Sequence, residues 1–303
     1  MEIFHSIEEY RRSDFYSAGE MSAVTLGKFD GIHIGHTKLI RNIIQHVRKC
    51  SGISVVFAIE MADGSILSHE ERALVLKELG VDLLIECPFS RQFMSLGPEE
   101  FVRNVLSDTL HAGYVCVGPD FVFGHHRAGT AVSLKEYGKA FGFETVILEK
   151  ERYLGEDVSS TRVRSALFAG DMELAGNLLG RSYPIAGEVA HGRHIGTGIG
   201  IPTINVIPQK EKILPPDGVY ASVVDLPDQT RWKGLTNIGV RPTVGGTQRR
   251  AETTLLDFHS NLYGESVTIR LLRFIRPEKK FDDLDALRAQ ILRDREEAWP
   301  ARS

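Results

Sequence analysis

Long apolar runs are missing from this 303-residue chain. No stretch reaches the roughly 18 consecutive apolar residues that a membrane span requires. The first fifteen residues carry Glu8, Glu9, Arg11, Arg12 and Asp14 where a secretory leader has its apolar core. A cytoplasmic location, with no membrane partner, is the expectation. Cysteine is scarce as well: Cys50, Cys87 and Cys116 include no Cys-x-x-Cys pair, which argues against a disulfide-stapled scaffold and a thiolate zinc site. They read as structural thiols on apolar strands and helices. An excess of one charge is also lacking. With 36 basic and 40 acidic residues the formal charge is -4, so no whole-chain field draws the protein to nucleic acid, and an anionic ligand must be held locally. The basic pair Arg249 and Arg250 has none of the aromatic interleaving of a nucleic-acid surface. There is no internal repeat and no low-complexity segment.

What is present is an ordinary globular composition, 42% apolar and 25% charged. At about 150 residues per domain the length suggests two domains. Their periodicities differ. Up to Arg181, short apolar runs at 23–27, 53–59, 81–87, 114–118 and 145–148 alternate with helical patterns such as Leu39, Ile40, Ile43, Ile44 and Val47. Strand, helix, strand in series predicts an α/β parallel sheet with right-handed crossovers over residues 1–181. From residue 182 to 303 the pattern is six extended runs at 185–190, 203–206, 219–224, 232–238, 253–258 and 267–274, punctuated by Gly and Pro. These predict an antiparallel β-barrel. A last helix over 284–293, with Leu284, Leu287 and Ile291 on one face, is expected to cover an open end.

Two segments carry chemistry. Gly27-Lys28-Phe29-Asp30-Gly31-Ile32-His33-Ile34-Gly35-His36 joins the first predicted strand to the first helix, at the carboxyl edge where parallel sheets bind ligands. Free backbone N–H groups at a helix start favour an anion, and His33 and His36 can donate to a triphosphate as charge develops on its leaving pyrophosphate. Read alone, the pair is equally a metal couple or plain helix-start polar residues. Neither a phosphate-loop ATPase motif nor a dinucleotide fingerprint fits the glycine spacing. The second segment, His191 to Asn205, places Gly192, Gly196, Gly198 and Gly200 before Pro202-Thr203-Ile204-Asn205. Thr203 and Asn205, two apart on a strand, offer hard oxygen donors suited to magnesium on one face. A glycine-rich hairpin with a polar strand face is the alternative.

Taken in order, these segments resemble the prokaryotic bifunctional riboflavin kinase/FAD synthetase family. Gly27 to His36 is similar to its His-x-Gly-His nucleotidyltransferase signature, Gly118 to Gly124 to its flavin-side loop, and Ser159-Ser160-Thr161-Arg162-Val163-Arg164 to its second ATP-contacting motif. Pro202 to Asn205 resembles the Pro-Thr-Ala-Asn motif of riboflavin kinases. The segments 214–221, 237–243, 255–258, 262–264 and 281–294 follow in that family's order. The resemblance implies a Rossmann-like nucleotidyltransferase domain followed by a riboflavin kinase barrel with a C-terminal helix. It further implies phosphorylation of riboflavin to FMN and adenylylation of FMN to FAD, with Mg2+ and ATP serving both reactions.

By the same resemblance Glu252 is the base for the ribityl 5'-hydroxyl, at the head of the strand 253–258, and Thr203 and Asn205 are the metal ligands. His33 and His36 hold ATP phosphates. Gly27, Phe29, Asp30, Gly35, Asp120, Ser160, Thr161 and Arg164 are the remaining contacts of the first domain, with Ser160 and Thr161 capping a helix over 162–169. Gly192, Gly196, Gly200 and Arg241 are those of the second. The chain departs from the family at Lys28, at Glu60 to Asp63 where Pro-His-Pro is usual, at Val122 in place of Arg, at Thr130 in place of an acid, and at Thr197 where Arg is common. Two other readings remain: a riboflavin kinase without adenylyl transfer, which accumulates FMN without FAD, and a non-catalytic flavin- or nucleotide-binding regulator, which turns over neither substrate.

Overall fold

A computed structural model describes residues 1–59, 64–88, 93, 95–190, 203–243 and 246–300, with the backbone alone at 241–243, 246 and 247. The described chain divides into two compact units. One comprises Met1–Ser65 and Arg72–Ser159, the other Ile66–Glu71 and Ser160–Ser303.

In the first unit, β1 (Glu2–Phe4), β2 (Ser22–Gly27), β3 (Ile53–Ile59), β4 (Leu83–Cys87) and β5 (Ala112–Val117) are followed by a short hairpin of β6 (Val122–Phe123) and β7 (Gly129–Thr130), then β8 (Glu144–Ile147). A further hairpin pairs β9 (Arg152–Tyr153) with β10 (Glu156–Asp157). The sheet order is β1-β4-β3-β2-β5-β8, and every pairing is parallel. Central strands read as continuous apolar runs because helices cover both faces: Val24, Val55, Val56, Phe57 and Val115 are fully buried. The five expected strands lie within two residues of the observed ones. The edge strand β1, three residues long, is too short to show a period. Cys87 and Cys116 are buried as expected, whereas Cys50, the last residue of the helix Ile34–Cys50, is exposed.

The second unit is a closed barrel of β11 (Tyr183–Ala190), β12 (Thr203–Val206), β13 (Gly218–Asp225), β14 (Arg231–Thr243), β15 (Gly246–Leu255) and β16 (Ser266–Arg276), in the order β11-β12-β15-β14-β13-β16. Alternation divides its residues between two faces. Tyr183, Ile185, Tyr220, Val224, Ile238, Ala251, Ile269 and Leu271 fill the interior together with three hydroxyls, Thr236 bonding Ser222 at 2.7 Å and Thr253 at 2.8 Å. The intervening residues form the outer wall. Part of that wall, Val219, Leu235 and Leu256, is covered by Ile291, Ala298 and Trp299. The C-terminal helix, Leu284–Ala298, therefore lies along the wall and not over an open end, and Leu284 is half exposed. It is held by Arg276, which donates to both carboxylate oxygens of the buried Asp294 at 2.8 to 3.0 Å.

Two differences from the expected organisation have physical causes. The boundary expected at 181/182 falls inside the second unit, because the helices Ser160–Phe168 and Met172–Leu179 pack on each other and the latter on β11 and β16. The segment Ile66–Glu71 joins the same unit through a fully buried ion pair. Lys212 Nζ donates to Glu71 at 2.6 Å and to the Ile66 carbonyl at 3.0 Å, and lies 4.3 Å over the Tyr183 ring. No helix among the described residues is long and apolar enough to cross a membrane.

Candidate active sites

The strand order places a topological switch between β2 and β5, whose connections leave in opposite directions. Ligands of open parallel sheets bind at such a point. The chain leaves β2 at Gly27 and turns through left-handed backbone at Phe29 (φ 45°), Gly31 (φ 84°) and Ile32 (φ 43°). Phe29 and Ile32 are buried, so apolar anchoring holds this uncommon conformation for non-glycine residues. Asp30 is buried alongside them. The turn delivers His33 as the N-cap of the helix Ile34–Cys50, its Nδ1 accepting from the His36 amide at 3.3 Å. An accepting Nδ1 puts the ring proton of the neutral tautomer on Nε2, where it can be donated. The His33 and His36 rings stack at 3.7 Å, and Phe29 lies 5.1 Å from His36. Gly35 permits this packing, since a Cβ there would press on the His33 ring at 3.2 Å. Gly27 needs no such space. Lys28 is exposed. His33 and His36 thus sit together at the N-terminal end of a 17-residue helix, the positive end of its dipole.

Asp120 is exposed between β5 and the β6–β7 hairpin and is ion-paired with Lys150, whose pKa the Asp120 hydrogen bond raises. The hairpin places Val122 directly opposite Thr130. Two departures from the family pattern, an arginine and an acid both replaced, therefore face each other as one apolar-hydroxyl pair, and no single charge is left unmatched there. Thr130 instead caps the helix Ala131–Phe141 in a capping box with Ser133. Ser160, Thr161 and Arg164 belong to the second unit. Their helix begins at Ser160, not at residue 162, so Ser160 and Thr161 form its first turn and do not cap it. Glu60 to Asp63 lies outside the described residues.

In the barrel, register brings together residues that spacing alone does not. Asn205 on β12 lies opposite Glu252 on β15, and Thr203 lies opposite Thr254. On its other side Glu252 faces Asn237 of β14. Directly opposed residues share a face with Cβ atoms about 4.5–5.5 Å apart, so Asn205, Glu252 and Asn237 form one polar row on the outer wall, with Thr203 on the same face two residues along β12. Asn237 Nδ2 donates to Glu278 Oε1 at 2.8 Å, which brings a second carboxylate to the edge of the row. Glu252 lies within β15, not at the head of a strand 253–258. The strand begins earlier, at Gly246, and Gln248, Arg249 and Arg250, polar on both faces, mask the alternation that would reveal it. Neither Asn237 nor Glu278 is singled out by spacing; only the register exposes them. Gly192, Gly196 and Gly200 lie outside the described residues, and of Arg241 the backbone alone is described, opposite Gln248.

The donor set of the row suits a hard cation that keeps water and phosphate ligands: one hydroxyl, one carboxamide oxygen and a carboxylate nearby. Among the described residues no group of three or more His, Cys, Asp or Glu is arranged as a metal cage.

Residues 179–300 match the family model for riboflavin kinase, and residues 16–162 match that for FAD synthetase. The chain is 36% identical over 285 residues to the bifunctional riboflavin kinase/FMN adenylyltransferase of Escherichia coli strain K12, with 91% of each chain covered. It is 35% identical over 289 residues to the protein of the same name from Haemophilus influenzae, covering 91% of this chain and 92% of that one. Among solved structures, one described as a macrolide-efflux protein from Streptococcus pneumoniae has a TM-score of 0.85 at 31% identity and covers 99% of both chains.

Proposed function

The chain belongs to the bifunctional riboflavin kinase/FMN adenylyltransferase family, and from that premise we propose how its residues divide the two reactions it catalyses. The chain phosphorylates riboflavin to FMN and joins FMN to the AMP moiety of ATP, giving FAD and pyrophosphate. In this proposal residues 182–303 carry the kinase and residues 1–181 the adenylyltransferase, a functional division that follows the matched spans even though two helices before residue 182 pack with the barrel.

For the kinase, Glu252 accepts the proton of the ribityl 5'-hydroxyl as its oxygen attacks the terminal phosphorus of ATP. Thr203 and Asn205 hold Mg2+, which when bound offsets negative charge on the phosphates. The observation that carries this assignment is the register Asn205–Glu252 beside Thr203–Thr254. Positioning supplies most of the acceleration in phosphoryl transfer, and a strand pair fixes position more firmly than a loop does. Asn237, opposite Glu252, is a further candidate contact for the polyol.

For the adenylyltransferase, His33 and His36 donate to the phosphates from the helix start, with Gly27, Phe29, Asp30 and Gly35 shaping the turn. Asp120 lies toward the flavin. Ser160, Thr161 and Arg164 keep the ATP-contacting role that the family motif implies. The chain then needs no arginine at position 122, since the acid that would face it at position 130 is absent too. Glu252→Gln is expected to lower FMN formation by about 100-fold or more while leaving FAD formation from added FMN intact. A near-normal kinase rate in that variant removes the base role from Glu252.

A further inference from the structure

One charged side chain on the barrel's outer wall is not used by the chemistry above. Arg250 precedes Glu252 by two residues on β15, so both project from the same face, with Cα atoms about 6–7 Å apart along the strand. Its cross-strand partner is Gly239, so β14 places no side chain of its own opposite the guanidinium. Arg250 is half-buried, and its Nε is shielded from solvent without a hydrogen-bond partner. Arg249, one residue earlier and on the other face, behaves differently: its Nε donates to Asp217 at 2.9 Å and its guanidinium to the Leu214 and Pro215 carbonyls.

A buried donor without an acceptor costs on the order of 1–3 kcal/mol, and such a group in a native fold calls for a reason. The nearby carboxylate Glu278 accepts from Asn237 and lies over Gly239. A permanently charged planar fork matches the paired oxygens of a carboxylate or a phosphoryl group, and beside a phosphoryl-transfer residue it is the substrate that brings the second.

We propose that Arg250 binds the transferring phosphoryl group, gripping its non-bridging oxygens while it is on ATP and after it has moved to the ribityl oxygen. This rests on the reading that the face of Glu252 holds the kinase site. In the step itself the ribityl oxygen bonds to the terminal phosphorus, and its proton passes to Glu252. The bond from that phosphorus to the ADP oxygen breaks, and its electron pair leaves with ADP. Arg250 stays protonated and forms no covalent bond.

The test uses the full chain with Arg250→Met and Arg250→Lys, each assayed for both half-reactions and for thermal unfolding, with Glu252→Gln in parallel. Arg250→Met is expected to lower kinase kcat by about 100-fold, the usual loss when one transition-state donor is removed. Its unfolding temperature should stay level or rise, because an unsatisfied buried donor is gone, and FAD formation from FMN should be unchanged. Arg250→Lys should recover part of the rate. A raised KM for ATP assigns the grip to the reactant, and weakened inhibition by FMN assigns it to the product; both support the proposal. Kinase constants within about twofold of the parent in both variants overturn it, as does a fall in unfolding temperature that tracks loss of both activities. If Glu252→Gln is active while Arg250→Met is impaired, the base assignment fails and the phosphoryl grip stands. The reverse result sinks the grip alone.

Discussion

Lys212 and Glu71 are 0% and 1% exposed at the side chain, and each oxygen of Glu71 is used: Oε2 by Lys212 and the Ser68 amide, Oε1 by the Ala186 amide. Charges this deep are tolerated only when every lone pair and proton is matched, so removing one partner strands the other in an apolar medium. Lys212→Ala is expected to destabilise the second unit by about 3–5 kcal/mol, read as a lower urea midpoint. Pairing it with Glu71→Gln should return part of that loss, since the carboxamide oxygen still accepts from backbone while the buried charge is gone. A double variant no more stable than the single one would refute the ion-pair account. Residue-scale chemistry of another kind governs Cys116, whose thiol burial pushes up to about 12; it stays protonated and unreactive at neutral pH.

Strands meet at Asp225, where the barrel's β13 pairs with both β14 and β16. Burial alone would raise this carboxyl, but hydrogen bonds from Arg231 and Arg270 outweigh it and hold the group below the ordinary carboxylate range. A depressed folded-state pKa contributes stability above the unfolded value of about 3.9, and that contribution is lost as pH falls through the folded value. Asp225→Asn should therefore lower the urea midpoint at pH 7 and lower it by less at an acid pH below the unfolded value, where protonation removes the parent's advantage. An equal gap at both pH values would mean that packing, not charge, ties the three strands. At this scale the helix Ile34–Cys50 matters to the other reaction. His33 caps this helix and, in the proposed division of roles, donates to phosphate, so His33→Asn, which keeps a capping side chain, is expected to retain the fold while FAD formation falls by about 100-fold. Retained FAD synthesis in that variant would leave the histidine a cap and nothing more.

On the proposed reading the whole molecule combines two sites of different architecture, one at the switch point of a parallel sheet and one on a barrel wall. A time course from riboflavin, ATP and magnesium should show FMN rising first and FAD following. In Glu252→Gln both products should fail from riboflavin, yet FAD should form from FMN; in the His33 variant FMN should accumulate. FMN without FAD in the parent would make the first unit inactive. Much of this was legible before any coordinates. The change from helix-spaced to strand-spaced apolar residues near residue 181 is a local property, set by which face of each element meets a core, and so are the glycine turn before His33 and the two-residue step from Thr203 to Asn205. Glu252 too was legible through the segments around it, but its place within β15 was not, because polar residues on both faces hid the start of that strand. What only the tertiary structure decided is which strands lie side by side. Asn205 meets Glu252 only because the barrel brings β12 beside β15, while the hairpin registers that pair Glu252 with Asn237 and Val122 with Thr130 depend on where each turn closes. The same holds for Ile66–Glu71, drawn to the barrel by a lysine 141 positions away. Periodicity records what a residue faces; it holds no record of its neighbour across the strand.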